Sequence, residues 1–183
     1  LFNVASGHTE TAPAGGLVIN YCALNAVLKP SATQTVTFQG GAVAALITAP
    51  VGTSTSVDGI VKLVGADYIS FNKIDLQESV ANVDVTTQME WGYALLKCDG
   101  NNGSGHNTIS NCSVTLNKTN QLSRGIYSGN HTGTSVANLT YTGTAGDAIQ
   151  VDSSRNGYNS LLSNIIQNVY SAIALSGNTA TSG

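Results

Sequence analysis

The stretch that decides the fold is Tyr68-Ile69-Ser70-Phe71-Asn72-Lys73-Ile74-Asp75-Leu76 together with its echo Asn107-Thr108-Ile109-Ser110-Asn111-Cys112-Ser113-Val114-Thr115-Leu116. Laid over each other at an offset of 40, they place Ile69 on Ile109, Ile74 on Val114 and Leu76 on Leu116. Each copy is two short strands of alternating apolar and polar residues, and the alternation breaks at Asn72-Lys73 and Asn111-Cys112. A chain bend belongs there, because Asn tolerates the left-handed conformation that a tight corner needs. The break turns Cys112 inward with Val114 and Leu116. Weaker copies start at Asn138-Leu139-Thr140-Tyr141 and at Asn159-Ser160-Leu161-Leu162, the latter running on to Ile166.

A second type of segment alternates with the first. It recurs around Ile60, Ala94, Ile126, Ile149 and Ile173, at spacings of 34, 32, 23 and 24 residues. A basic period near 23 or 24, lengthened by insertions, is the mark of a solenoid whose every turn holds two or three strands. The expected fold is an all-β, right-handed parallel β-helix with turns of about 22–25 residues and loop insertions. A sandwich or jelly roll would also use short strands, but would not repeat two motifs in fixed order. Alternation predicts Ile60, Val64, Ala94, Leu96, Cys98, Ile149, Val151, Ile173 and Leu175 inward. Residues 1–51 follow the pattern poorly and read as irregular turns or a cap, with coils over 52–183. The run Ser176 to Gly183 reads as the end of a segment excised from a longer chain.

Composition agrees with stacking. Only 9% of the 183 residues are charged, the net charge is −3, and Gly, Ser, Thr and Asn fill about two-fifths of the positions. Stacked like charges would repel at every turn, whereas neutral side chains ladder by hydrogen bonding. So sparse and balanced a charge excludes a nucleic-acid footprint and a polybasic membrane patch. No apolar run reaches the roughly 18 residues of a membrane-spanning helix. The cysteines Cys22, Cys98 and Cys112 are odd in number, form no CxxC pair and read as free, buried thiols.

Function, where there is any, belongs to the insertions Gln77–Gly92, Asp99–His106 and Asn117–Arg124. The first carries Glu90 and Trp91 beside Tyr93, a set able to stack a sugar ring. Asp147 and Asp152 flank one strand, near Arg155, and are the candidate calcium ligands; no other cofactor is expected. Glycoside hydrolysis needs two carboxylates facing one cleft. A polygalacturonase-type cluster of Asn-Thr-Asp, Asp-Asp, Gly-His-Gly and Arg-Ile-Lys is missing throughout. No catalytic residue is assigned.

The phrases Gly65–Ser79, His106–Lys118 and Asn164–Gly177 resemble the β-helix repeats of very long secreted Bacteroidota surface proteins, cargo of type IX secretion that includes gliding-type adhesins. The resemblance runs from about Thr9 to Gly177. It implies a secreted or cell-surface structural or adhesive module within a larger chain, binding a surface polysaccharide or engaging the secretion machinery, without nucleic acid and without membrane insertion. The alternatives are a β-helix polysaccharide lyase or glycoside hydrolase, and a filament subunit stacked end to end. Ile69, Ile74, Leu76, Ile109, Cys112, Val114, Leu116, Ile149, Val151, Ile173 and Leu175 are the expected structural positions.

Overall fold

In the computed structural model, residues 1–23, 29–140 and 154–177 are described. Among the described residues, fifteen strands build three parallel sheets of five strands each. The first coil comprises β1 (Phe2–Asn3), β2 (Thr9–Thr11) and β3 (Leu17–Asn20). The second holds β4 (Val36–Gln39), β5 (Ala45–Thr48) and β6 (Gly59–Val64), and the third β7 (Ile69–Asn72), β8 (Ile74–Gln77) and β9 (Trp91–Leu96). The fourth holds β10 (Thr108–Ser110), β11 (Ser113–Thr115) and β12 (Arg124–Ser128). The last holds β13 (Ser160–Leu162), β14 (Ile165–Gln167) and β15 (Ser171–Leu175). Every strand pairs with its counterpart one coil away, so sheet A runs β1-β4-β7-β10-β13, sheet B β2-β5-β8-β11-β14 and sheet C β3-β6-β9-β12-β15. This is a parallel β-helix, as the repeats require.

Three readings of the repeat need correction. Residues 1–51 are not an irregular cap: they supply β1 to β5, in register with the later coils, as in Phe2↔Phe38 and Thr9↔Leu46. Those strands are only two to four residues long, which blurs their alternation. The offset between third and fourth coils is 38 and not 40, since Ile109 lies beside Phe71, Val114 beside Leu76, and Asn107 accepts from Ile69 at a separation of 38. Both offsets are even, and strand side chains repeat every two residues, so each gives the same inward set. Asn138–Thr140 forms no strand, and β12 pairs directly with β15. Ile149 and Val151 lie outside the described residues.

The core follows from the pairing. Ile69, Phe71, Ile74, Leu76, Ile109, Cys112, Val114, Leu116 and Ile126 are all buried in one cluster. Phe2, Phe38 and Phe71 stack along the axis with centroids 5.4 and 5.1 Å apart, since identical positions one rung apart bring rings face to face. Tyr93 joins them, its hydroxyl donating to the Ile74 carbonyl at 2.7 Å. Both Ile60 and Val61 belong to this core, so alternation fails early in β6. The register Val61↔Tyr93 then sends Tyr93 and Leu95 inward, while Val64, Ala94 and Leu96 join Trp91 in a second cluster with Val57, Cys98 and Tyr127. The expected inward placing of Val64, Ala94, Leu96 and Cys98 is thus overturned. β6 and β9 are buried on both faces, the outer one against insertions. Ile173 and Leu175 are exposed, because β15 is the last described strand of its sheet.

Corners hold the coils together. Lys73 and Asn111 adopt left-handed backbone, φ 55° and 53°, where the sequence called for a bend. Asparagine, however, works mainly as a clamp. The Asn107 side chain accepts from Ile69 N at 2.9 Å and donates to Ala66 O at 2.8 Å; Asn164 does the same for Cys112 N and Ile109 O. Each amide satisfies a donor and an acceptor that the corner takes out of the ladder. The thiols also differ from expectation: Cys22 and Cys98 form a disulfide, with Cα atoms 5.4 Å apart, and only Cys112 is free and buried. The bridge joins the ends of β3 and β9 across the second coil. There Gly65, at φ +56°, leaves the room that a Cβ would take from Cys98 Sγ.

Candidate ligand-binding face

The corner before sheet A places one aromatic residue in each of the third, fourth and fifth described coils. Tyr68, His106 and Tyr158 each take left-handed backbone, φ 57°, 56° and 55°, just ahead of β7, β10 and β13. Their rings stack nearly parallel, with centroids 4.7 and 4.8 Å apart and planes within 7°. That spacing is the rung distance of a sheet, so the coil itself sets the stack. Tyr158 ends it with 64% of its surface exposed.

Beside the rings run two polar columns. Ile69 and Phe71 turn into the core, so Ser70 and Asn72 face out, and register carries Ser70 onto Thr37, Thr108 and, through Thr108, Ser160. The next column contains Gln39, Asn72 and Ser110. Here Asn72 donates to Gln39 Oε1 and Asn111 donates to Asn72 Oδ1, both at 2.8 Å. Below the rings, Asp67 accepts from Gly105 N at 2.7 Å, and burial raises its carboxyl above the ordinary range. The face offers an exposed ring next to an array of neutral hydroxyl and amide groups. That combination suits a sugar, which needs an apolar platform and many uncharged hydrogen-bond partners.

The site read from the sequence lies elsewhere and is closed. Glu90, Trp91 and Tyr93 are 1%, 4% and 1% exposed, so no sugar reaches them. Trp91 stacks on Tyr127 at 5.0 Å, and His131 covers the pair at 5.5 Å from each. His131 Nδ1 donates to the Thr132 carbonyl at 2.7 Å, which leaves Nε2 to accept from the Tyr127 hydroxyl at 2.9 Å. Glu90 accepts from Asp58 N at 2.9 Å and from Asn120 Nδ2 at 3.2 Å, tying two insertions together. Burial, with a smaller push from the Asp58 charge, raises its pKa to about 7. Asp147 and Asp152, the candidate calcium ligands, lie outside the described residues. Among the described residues no group of three or more His, Cys, Asp and Glu side chains stands ready for a metal ion.

The aromatic column escaped the sequence reading because the offset of 40 laid Tyr68 over Thr108. At 38, Tyr68 falls on His106, so a signal existed in the spacing.

No protein-family model matches the chain, and no curated protein or solved structure is similar to it.

Proposed function

We propose that this chain is a non-catalytic, extracytoplasmic β-helix module that adheres to a surface polysaccharide through the outer face of sheet A. The observation that carries this reading is the Tyr68–His106–Tyr158 column beside the Thr37, Ser70, Thr108 and Ser160 hydroxyls. The Cys22–Cys98 disulfide supports placement outside the cytoplasm, since such bonds persist in oxidising compartments. The likeness to Bacteroidota type IX surface proteins fits the same setting.

Retention on insoluble neutral polysaccharides tests this reading, with soluble products measured in the same tubes. The protein is expected to co-sediment with at least one polymer without shortening it. Tyr158→Ala should weaken retention roughly five- to tenfold, the scale of a lost aromatic contact. Release of new reducing ends or unsaturated sugars would replace the reading with the lyase or hydrolase one. Retention unaffected by Tyr158→Ala would remove the face from the argument.

A further inference from the structure

On the outer side of sheet B the chain forms a cleft of about 350 Å³, lined by Val43, Leu46, Asp75, Gln77, Ser113 and Thr115. One wall comes from a corner of the second coil. Residues 40–44 join β4 to β5 there, whereas Lys73 alone makes the same corner in the third coil. The longer corner is pinned to the first coil, with Val43 N donating to Ser6 Oγ at 3.0 Å and Gly7 N to Val43 O at 3.1 Å. Asp75 faces outward, because Ile74 and Leu76 on either side of it enter the core. It is half-buried, and its Oδ1 accepts from Ser113 N at 2.7 Å. Among the described residues Oδ2 receives no hydrogen bond, and no Lys, Arg or His nitrogen lies within 4.0 Å of the carboxylate. The Ser113 and Thr115 hydroxyls and the Gln77 side-chain amide are likewise without partners among the described residues.

We propose that this cleft binds one amine-bearing sugar unit, a hexosamine, with its ammonium on Asp75 and its ring hydroxyls on Ser113, Thr115 and Gln77. Among the described residues that line the cleft, Asp75 alone is charged, so the site favours a cation. An ammonium brings donors and no acceptor, which matches a carboxylate oxygen whose bonds are still to be made. A lysine side chain would meet the charge but leave the two hydroxyls and the amide unused. Val43 and Leu46 give the C–H face of the ring an apolar contact. The volume lies at the low end of the roughly 300–1,000 Å³ of small-molecule pockets, which suits one sugar unit. A neighbouring hollow of about 340 Å³ shares Asp75 and Ser113 but adds Lys73, whose charge repels a second amine. The cleft lies away from sheet A, so failure of either reading leaves the other standing.

The test is titration of the whole chain with D-glucosamine, D-glucose and the amide of Nα-acetyl-lysine, each in turn, at about pH 6, where an amine of the α-amino kind is charged. Backbone amide shifts in nuclear magnetic resonance are the readout, since one sugar unit is expected to bind at roughly millimolar strength. Glucosamine should bind about fivefold more tightly than either of the others, the scale of one half-buried ion pair. Its largest shifts should fall on Asp75, Gln77, Ser113 and Thr115. Asp75→Asn keeps an oxygen to accept from Ser113 N, so the corner stays anchored while the charge is gone, and this variant should erase the preference. Asp99→Asn, a substitution outside the cleft, should keep it. Should Asp75→Asn fail to fold, the shift map of the unaltered chain still decides. Equal binding of the two sugars, binding of neither, a lysine derivative that matches glucosamine, or shifts centred elsewhere overturns the proposal.

Discussion

Glu90 receives two hydrogen bonds as a carboxylate, yet burial lifts its pKa from 4.5 to about 7. A folded-state pKa above the unfolded value means that the fold prefers the protonated form. The contribution is complete below pH 4.5 and is lost as pH rises through 7. Glu78, raised by burial as well, acts in the same direction. Stability measured by urea unfolding is expected to fall between pH 5 and pH 8 by on the order of 3 kcal/mol, and Glu90→Gln should flatten the profile. A stability that climbs over that range would contradict the assignment. Lys73 is a second residue at odds with its place, a side chain other than Gly or Asn held at φ 55°. Lys73→Asn, matching Asn111 at the equivalent corner, should raise the melting temperature by an amount worth about 0.5–1 kcal/mol. The need for a bend at this corner was legible in the sequence. That the left-handed position falls on Lys73 rather than Asn72 was not, because only the backbone path separates the two.

Strands show where local pattern stops being informative. In β7, β8, β10 and β11 the apolar residues alternate cleanly, and the inward set follows from the sequence alone. In β6 and β9 both faces are buried, so apolar residues occupy both and alternation no longer points anywhere. Pairing Val61 with Tyr93 decides the matter, and it makes Tyr93 core and Trp91 the partner of Tyr127. The link between β3 and β9 was equally hidden, because Cys22 and Cys98 are 76 residues apart. Closing so long a loop restrains the unfolded chain. Reduction, or Cys22→Ser, is expected to cost about 2–4 kcal/mol in denaturant unfolding. No change on reduction would mean that the bridge adds nothing to the coil corners.

For the whole molecule, stability should vary along the axis. Each coil contacts only its neighbours, so the ends of the described stack lack support that the middle has. Phe2 at one end and Leu175 at the other are 60% and 74% exposed, while Leu76, Leu96, Val114 and Ile126 are fully enclosed. Hydrogen exchange is expected to be slowest in β6, β8, β9 and β11 and fastest in β1, β2, β14 and β15. Uniform protection would indicate a single cooperative unit instead of a nearest-neighbour stack. The same geometry places the proposed ligand face outside sheet A, where the corner residues of successive coils stack.

By itself the sequence determined the class: short apolar alternations, neutral polar residues and repeated corners leave a stacked parallel coil as the consistent solution, because strand periodicity and charge repulsion are local and recur at each rung. Tertiary structure decided which residues became neighbours across rungs. Any even offset preserves the inward set, so the choice of 38 over 40 rests on the Asn107 clamp and the left-handed corners, contacts made only when the coils close. The burial of Glu90 and Trp91, the Cys22–Cys98 bridge and the Tyr68–His106–Tyr158 column all follow from that choice of register and from how the insertions pack. Both are long-range contacts that no window of sequence contains.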